Sequence, residues 1–346
     1  MTSPNIIHAD HVRFPIPIDD LGDALHPGLY RQISPGHALH KSQLRPPALV
    51  DQGARHHPRQ FRYAATAATR AIAHLRERPT LVASSWSAAA LFGLRYFCDD
   101  ADTCVLGSVD RASPASVLDV DQRRLHRSVS PVAIRLGEES FRAVSPLLSL
   151  VGCLRSLHNR EHSWDTVPVP GLDPGTVRMV QVVDQFRRVL GLDENQIRAG
   201  AASRFSRRRL SKILALSTSL ADSPKETELR LMILQVTANL GITLVDQVPV
   251  YKDGRIGAPG TRDAGAELLT IIDVADLSRM IAFMYDGEHH LDRAQRDLDA
   301  RITAELTRRG WLVIRVSAGM LCDTKEITRQ IRESFLARAE LSRWAI

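Results

Sequence analysis

Between residues 266 and 316 the chain runs through two apolar stretches parted by a polar turn, then a charged amphipathic segment, then a third apolar stretch. That order leaves few folds open. The first stretch contains Asp273, and the second ends in Tyr285-Asp286-Gly287-Glu288-His289-His290. Leu277-Ser278-Arg279 supplies the turn, so the two read as strands of a hairpin. Over 291–309, Leu291, Ala294, Leu298, Ile302 and Leu306 recur at helical spacing, and Gly310 stands just past the end. Residues 311–316 form a short apolar strand. A helix of this length between two strands is the crossover that parallel pairing needs. A last helix starts at Asp323 or Thr324 and is supported by Ile327, Ile331 and Phe335. The C-terminal part is therefore expected to be an α/β domain with a mixed sheet.

The same stretch carries candidate chemistry. Hydrolysis of a phosphodiester with a metal needs oxygen ligands on rigid elements and a group that orients or deprotonates water. Paired in a hairpin, Asp273 and Asp286 can meet near one sheet edge. Glu226 offers a third carboxylate. Ser223, Pro224 and Glu226 stand at the N-cap, N1 and N3 positions of a helix predicted over 223–241, with Leu229, Ile233, Val236 and Leu240 on one face. Ligand and capping-box roles are both open for Glu226. Asp286-Gly287 is also an ordinary turn dipeptide. Of His289 and His290, one is expected to face the site, because neighbouring strand residues point opposite ways. Met284 and Trp311 read as core.

The rest of the 346 residues are ordinary in composition, 44% apolar and 24% charged, enough for two or three domains. A net charge of +6 and a pI of about 9.4 favour a polyanionic partner. Cys98, Cys104, Cys153 and Cys322 fit no zinc spacing and read as free thiols in a reducing compartment. No apolar run is long enough to span a membrane, and the first residues lack a signal-peptide design. A cytoplasmic protein without a membrane partner is the expectation.

Residues 1–58, rich in Pro, His and Gly, read as an irregular, loosely structured lead with a few short strands or turns. A helix is predicted over 61–78, stopped by Pro79, and a strand then helix over 81–94 with Ser84 or Ser85 as cap. A small sheet is predicted over 103–135, including a strand at 116–120, and a helix opens at Ser145-Pro146. Three prolines and two glycines over 159–175 mark a boundary. Helices follow near 176–190 and over 194–220. The second holds a basic run, Arg204, Arg207, Arg208, Arg209 and Lys212, which either contacts phosphates or forms a solvated face. Asp253-Gly254 signals a hairpin turn after the 223–241 helix.

The Ser223–Glu226 helix start, Asp273, Tyr285-Asp286-Gly287, the His pair, Trp311 and Arg315 together resemble a bacterial family. It is the one catalogued as domain of unknown function 559, itself similar to the very-short-patch-repair (Vsr) endonucleases and to the PD-(D/E)XK restriction-endonuclease fold. The resemblance covers about 220–335. It implies a metal-dependent DNA endonuclease using Mg²⁺ or Mn²⁺. Asp273, Asp286 and Glu226 would be ligands, and Asp273, Asp286, His289 and His290 catalytic residues. The usual Glu before Tyr-Asp-Gly is Met284 here, and the Vsr pattern also lacks it. The alternative is a non-catalytic, antitoxin-like DNA-binding regulator with a degenerate nuclease domain. Residues 60–160, through Trp86–Leu94 and Ser145–Leu157, resemble AbiEi-type antitoxin regions, although the winged helix-turn-helix usual at their start is not evident. The expected division is 1–58 irregular lead, 59–160 AbiEi-like α+β region, 161–220 helical connector with the basic run, and 221–346 endonuclease-like domain. A salt bridge filling the carboxylate site would favour the non-catalytic alternative.

Overall fold

The computed structural model describes residues 12–21, 28–111, 113–287 and 293–344. The chain is a mixed α and β protein whose sheets are flanked by helices. It divides into two compact units: 1–165 with 189–212, and 166–188 with 213–346. The segment expected as a connector thus contributes to both.

The first unit starts with a small antiparallel sheet in the order β1-β3-β2, from β1 (Ile16–Pro17), β2 (Tyr30–Ser34) and β3 (His37–His40). A short helix, α1 (Ile18–Leu21), follows β1. The lead expected to be irregular also holds a ten-residue helix, α2 (Pro47–His56). Its Pro46-Pro47 start looks like a breaker, but Pro is tolerated at the first helical position, where no N–H is needed. α3 (Ala67–Glu77) begins six residues later than predicted, with Thr66 accepting the Thr69 N–H as cap. Residues before it are held elsewhere: Phe61 stacks on His57, and Tyr63 Oη donates to Asp102 Oδ1 at 2.6 Å.

β4 (Val82–Ala83) and α4 (Ser85–Leu91) occur where expected, Ser84 occupying the N-cap without a side-chain bond. A five-stranded mixed sheet, ordered β6-β5-β4-β8-β7, is completed by β5 (Cys104–Gly107), β6 (Asp121–Arg124), β7 (Val132–Leu136) and β8 (Glu139–Ala143). The strand expected at 116–120 lies instead at β6. Asp119 turns the preceding residues by accepting the Ser116 N–H and hydroxyl, both at 2.9 Å. α5 (Pro146–His158) starts with Ser145 as a bonded cap and packs on α4 around fully buried Trp86, Leu150 and Leu154.

α6 (Pro174–Leu190) is continuous, but the helix predicted over 194–220 is two: α7 (Glu194–Ala201) and α8 (Arg207–Leu216). Between them Ser203 takes a left-handed φ of 60°, which ends α-helical hydrogen bonding. α7 opens with a complete Asp193–Gln196 capping box.

In the second unit α9 (Pro224–Val236) stops short of the predicted end. The Thr237 hydroxyl and N–H both take the Ile233 carbonyl, at 2.6 and 3.0 Å, and Leu240 is left exposed. The sheet runs β12-β11-β10-β9, from β9 (Val245–Tyr251), β10 (Leu268–Asp276), β11 (Ile281–Asp286) and β12 (Leu312–Ser317). β9, β10 and β11 are antiparallel neighbours. β12 is parallel to β11, reached through α10 (Arg293–Arg308) as the crossover pattern required. α11 (Ala318–Cys322) and α12 (Thr324–Trp344) close the chain.

Both faces of this sheet are covered. The Phe283 ring stacks on Phe335 of α12, 6.3 Å between centroids. Its neighbour Met284, pointing the other way, joins a cluster with Leu306 of α10 and Trp311. Met284 and Trp311 are core residues, as their sequence reading held. Leu298, expected on the same apolar face, is 49% exposed; Ile302 and Leu306 carry the contact. The four cysteines are free thiols. No helix among the described residues is long and apolar enough to cross a membrane.

Candidate functional site

The hairpin of β10 and β11 is the frame of the site. Apolar and β-branched residues favour both strands, and Asp276 closes the turn between them. Its carboxylate accepts the Ser278 hydroxyl at 2.6 Å, the Arg279 N–H at 3.1 Å and the Arg279 guanidinium at 2.8 Å. Met280, with φ of 53°, completes the reversal. The resulting register pairs Val274 with Phe283, which sets Asp273 beside Met284 and Tyr285. Asp273 Oδ2 accepts the Tyr285 backbone N–H at 2.6 Å.

On the other side β9 brings Gln247 opposite Asp273, between the pairs Ile272–Val248 and Val274–Asp246. Gln247 Nε2 lies 3.5 Å from Asp273 Oδ1 and 2.9 Å from Glu226 Oε2. One amide therefore bridges two carboxylates from α9 and β10. Gln247 is buried and has a left-handed φ of 52°, a backbone state that costs an ordinary residue energy and collects at functional positions. Sequence reasoning missed it. No motif or period marks it, and only the β9–β10 register puts it there.

Glu226 is also a cap. Its Oε1 accepts the Ser223 hydroxyl at 2.9 Å and its Oε2 the Asp222 N–H at 3.0 Å, while Ser223 Oγ accepts the Glu226 N–H at 3.2 Å. The cap is half of a capping box: Ser223 takes the Glu226 N–H, while Glu226 reaches the Asp222 N–H rather than that of the N-cap residue. Both carboxyls are half-buried and hold their protons tightly. Burial, with the Asp273 charge added, raises Glu226 to about 7. Burial raises Asp273 to about 6; Asp222 and Asp286 add to this, and the Tyr285 N–H and Arg315 oppose it.

Asp286 is placed differently. Arg315, on β12, donates from Nε to Asp286 Oδ2 at 2.9 Å and from Nη2 to Oδ1. The same guanidinium lies 3.2 Å from Asp299 Oδ1 of α10. Two-pronged pairing of this kind fixes a carboxylate in direction as well as charge. Asp286 thus adds to the field at Asp273 while its own oxygens are engaged. His289 and His290 lie outside the described residues.

Of the expected ligands, the fold brings Glu226 and Asp273 together and commits Asp286 to Arg315. Hard carboxylate oxygens suit Mg²⁺ or Mn²⁺, and Mg²⁺ is commonly held by one or two carboxylates with waters and substrate phosphate completing its shell. The Glu226–Asp273 pair fits that minimum, without Asp286. Among the described residues no group of three or more His, Cys, Asp and Glu is placed to hold a metal ion.

The basic run belongs to the first unit. Arg204 lies in the turn before α8, and Arg207, Arg208, Arg209 and Lys212 are exposed on α8. Arg209 bonds His158 Nδ1. Three successive arginines spread over more than half of the helix circumference, so they make no single stripe. No known protein family, curated protein or solved structure matches this chain.

Proposed function

We propose that the second unit is a metal-dependent DNA endonuclease of the Vsr-like, PD-(D/E)XK class. The observation that carries this reading is the Glu226–Gln247–Asp273 arrangement: two proton-retaining carboxylates from separate elements, joined by one strained, buried amide. Glu226 and Asp273 would hold Mg²⁺. When bound, the ion supplies charge stabilisation at a phosphate oxygen and lowers the pKa of a water. The chain's own part is orientation. Gln247 and the Tyr285 N–H fix the direction of Asp273, and Ser223 and Asp222 fix Glu226. Cation binding displaces the protons that Asp273 holds up to about pH 6 and Glu226 up to about pH 7, so affinity rises from pH 6 to pH 8. The basic residues of the first unit, Arg204 and Arg207 to Lys212, would contact phosphates in a salt-dependent way.

A second reading has its own support. The Arg315–Asp286 pair and buried Met284 fit a domain that has kept the architecture and lost the chemistry, in a non-catalytic, antitoxin-like DNA-binding regulator. Supercoiled-plasmid nicking with Mg²⁺ or Mn²⁺ separates the two. The first reading expects nicking by the wild type and none by Asp273→Ala. Equal trace signal from both proteins removes it. Duplex binding with a steep salt slope and no cleavage under either metal leaves the second reading standing, and absence of DNA binding removes both.

A further inference from the structure

The first unit contains a cavity of about 480 Å³, within the roughly 300–1,000 Å³ typical of small-ligand sites. Its wall is apolar, formed by Leu106, Val144, Leu148 and Val151 beside Trp86, and its rim is charged on both signs. Much of that charge is already spent. Asp102 is taken by His57, Arg59 and Tyr63, and Asp121 by Arg123. The side chains of three further rim arginines, Arg124, Arg155 and Arg204, have no ion-pair or hydrogen-bond partner among the described residues, and all three are exposed. Two rim carboxylates stand with them: Asp110, accepting the Arg124 backbone N–H at 2.6 Å, and Glu161, accepting Asn159 Nδ2 at 3.1 Å.

The wall is also built under constraint. Ser85 lines the cavity with a left-handed φ of 45°. Its carbonyl accepts the Ser149 hydroxyl at 2.8 Å, and Gly152 of α5 approaches so closely that a Cβ there would lie 3.1 Å from Ser85 Cα. A strained serine persists only where its surroundings over-determine it, and such residues gather at binding sites.

We propose that this cavity binds a nucleotide, free or as a residue of a single strand. Guanidinia without partners match phosphate oxygens in charge and in forked geometry. The apolar wall accepts the face of a base, and Asp110 and Glu161 offer acceptors to its amino and imino hydrogens. Arg204 stands in the turn just before α8, which sets the cavity beside the basic residues at the start of that helix. The inference concerns the first unit and does not depend on the carboxylate site of the second.

Isothermal titration of the full chain with the four 5′-mononucleotides, the matching nucleosides, inorganic phosphate and a short single-stranded oligonucleotide tests it. At least one mononucleotide or the oligonucleotide binds, and the nucleosides and inorganic phosphate bind at least about tenfold more weakly. Mononucleotide binding identifies a free ligand; binding of the oligonucleotide alone identifies a strand residue. The double change Arg155→Ala/Arg204→Ala weakens binding at least about tenfold, and Leu148→Trp, which fills the cavity, abolishes it with an unchanged circular-dichroism spectrum. Asp273→Ala leaves it unchanged, which keeps this outcome separate from the nuclease test. Absence of binding by every probe, or equal binding by wild type and Leu148→Trp, overturns the proposal.

Discussion

Replacing Asp273 by Asn should stabilise the second unit at neutral pH. Asp273 holds its proton to about pH 6 in the folded chain, against an ordinary value of 3.8, chiefly because it is buried and secondarily because Asp222 and Asp286 stand near it. A folded-state value above the unfolded one means that the charged form is disfavoured by folding. The contribution to stability is therefore best below about pH 3.8, falls between 3.8 and about 6, and stays lost above that. The difference corresponds to about 3 kcal/mol, which water at a half-buried site reduces to about 1–2 kcal/mol. Asparagine keeps an acceptor for the Tyr285 N–H, and Gln247 keeps its 2.9 Å bond to Glu226, so only the long 3.5 Å contact to Asp273 is given up. Hydrogen exchange of the β10 and β11 amides, corrected for the intrinsic effect of pH, reads this unit alone. At pH 8, protection should rise about five- to thirtyfold, since each 1.4 kcal/mol is about tenfold. The gain should shrink toward pH 4. Faster exchange in Asp273→Asn at pH 8, or a gain equal at pH 4 and pH 8, would refute the electrostatic reasoning.

Two further changes test the packing around the site. Arg230 donates to fully buried Asp184 at 2.9 Å, beside Thr227 Oγ1 at 2.9 Å and the Thr218 N–H at 2.7 Å. Arg230→Ala strands that carboxylate, already raised to about 6 mainly by burial, and should cost about 3–5 kcal/mol above pH 6, read by urea unfolding. The loss should narrow as the pH falls, starting above pH 6, because without Arg230 the buried Asp184 takes up its proton at a higher pH than in the wild type. Leu306, fully buried between α10 and the sheet near Met284 and Trp311, should cost about 2–5 kcal/mol as Leu306→Ala by the same measurement. A loss under 1 kcal/mol would mean that this cluster does not hold the crossover helix.

The second unit was readable because its elements carry strong local signals. The apolar runs around Asp273 and Tyr285, the Asp253-Gly254 turn and the Ser223-Pro224 helix start all appear in the fold, as does the parallel strand after α10. The misread places depend on competing bonds. The Thr237 hydroxyl ends α9 before Gly241, and Ser203 breaks the helix predicted over 194–220. The sequence places Asp286 and Asp273 with equal weight, yet Arg315 takes one and leaves the other to Gln247 and Glu226.

By itself the sequence determines the order of strands and helices in the second unit and the carboxylates available there, because hydrophobic period, caps and turn residues act over a few neighbours. Tertiary structure alone decides how those carboxylates are partnered. Gln247 lies 26 residues before Asp273, and Arg315 lies 29 after Asp286. Strand register, set by burial across the whole sheet, chooses which polar groups meet. The cavity of the first unit has the same origin: Ser85, Arg124, Arg155 and Arg204 become neighbours only once α4, β6, α5 and the turn before α8 have packed.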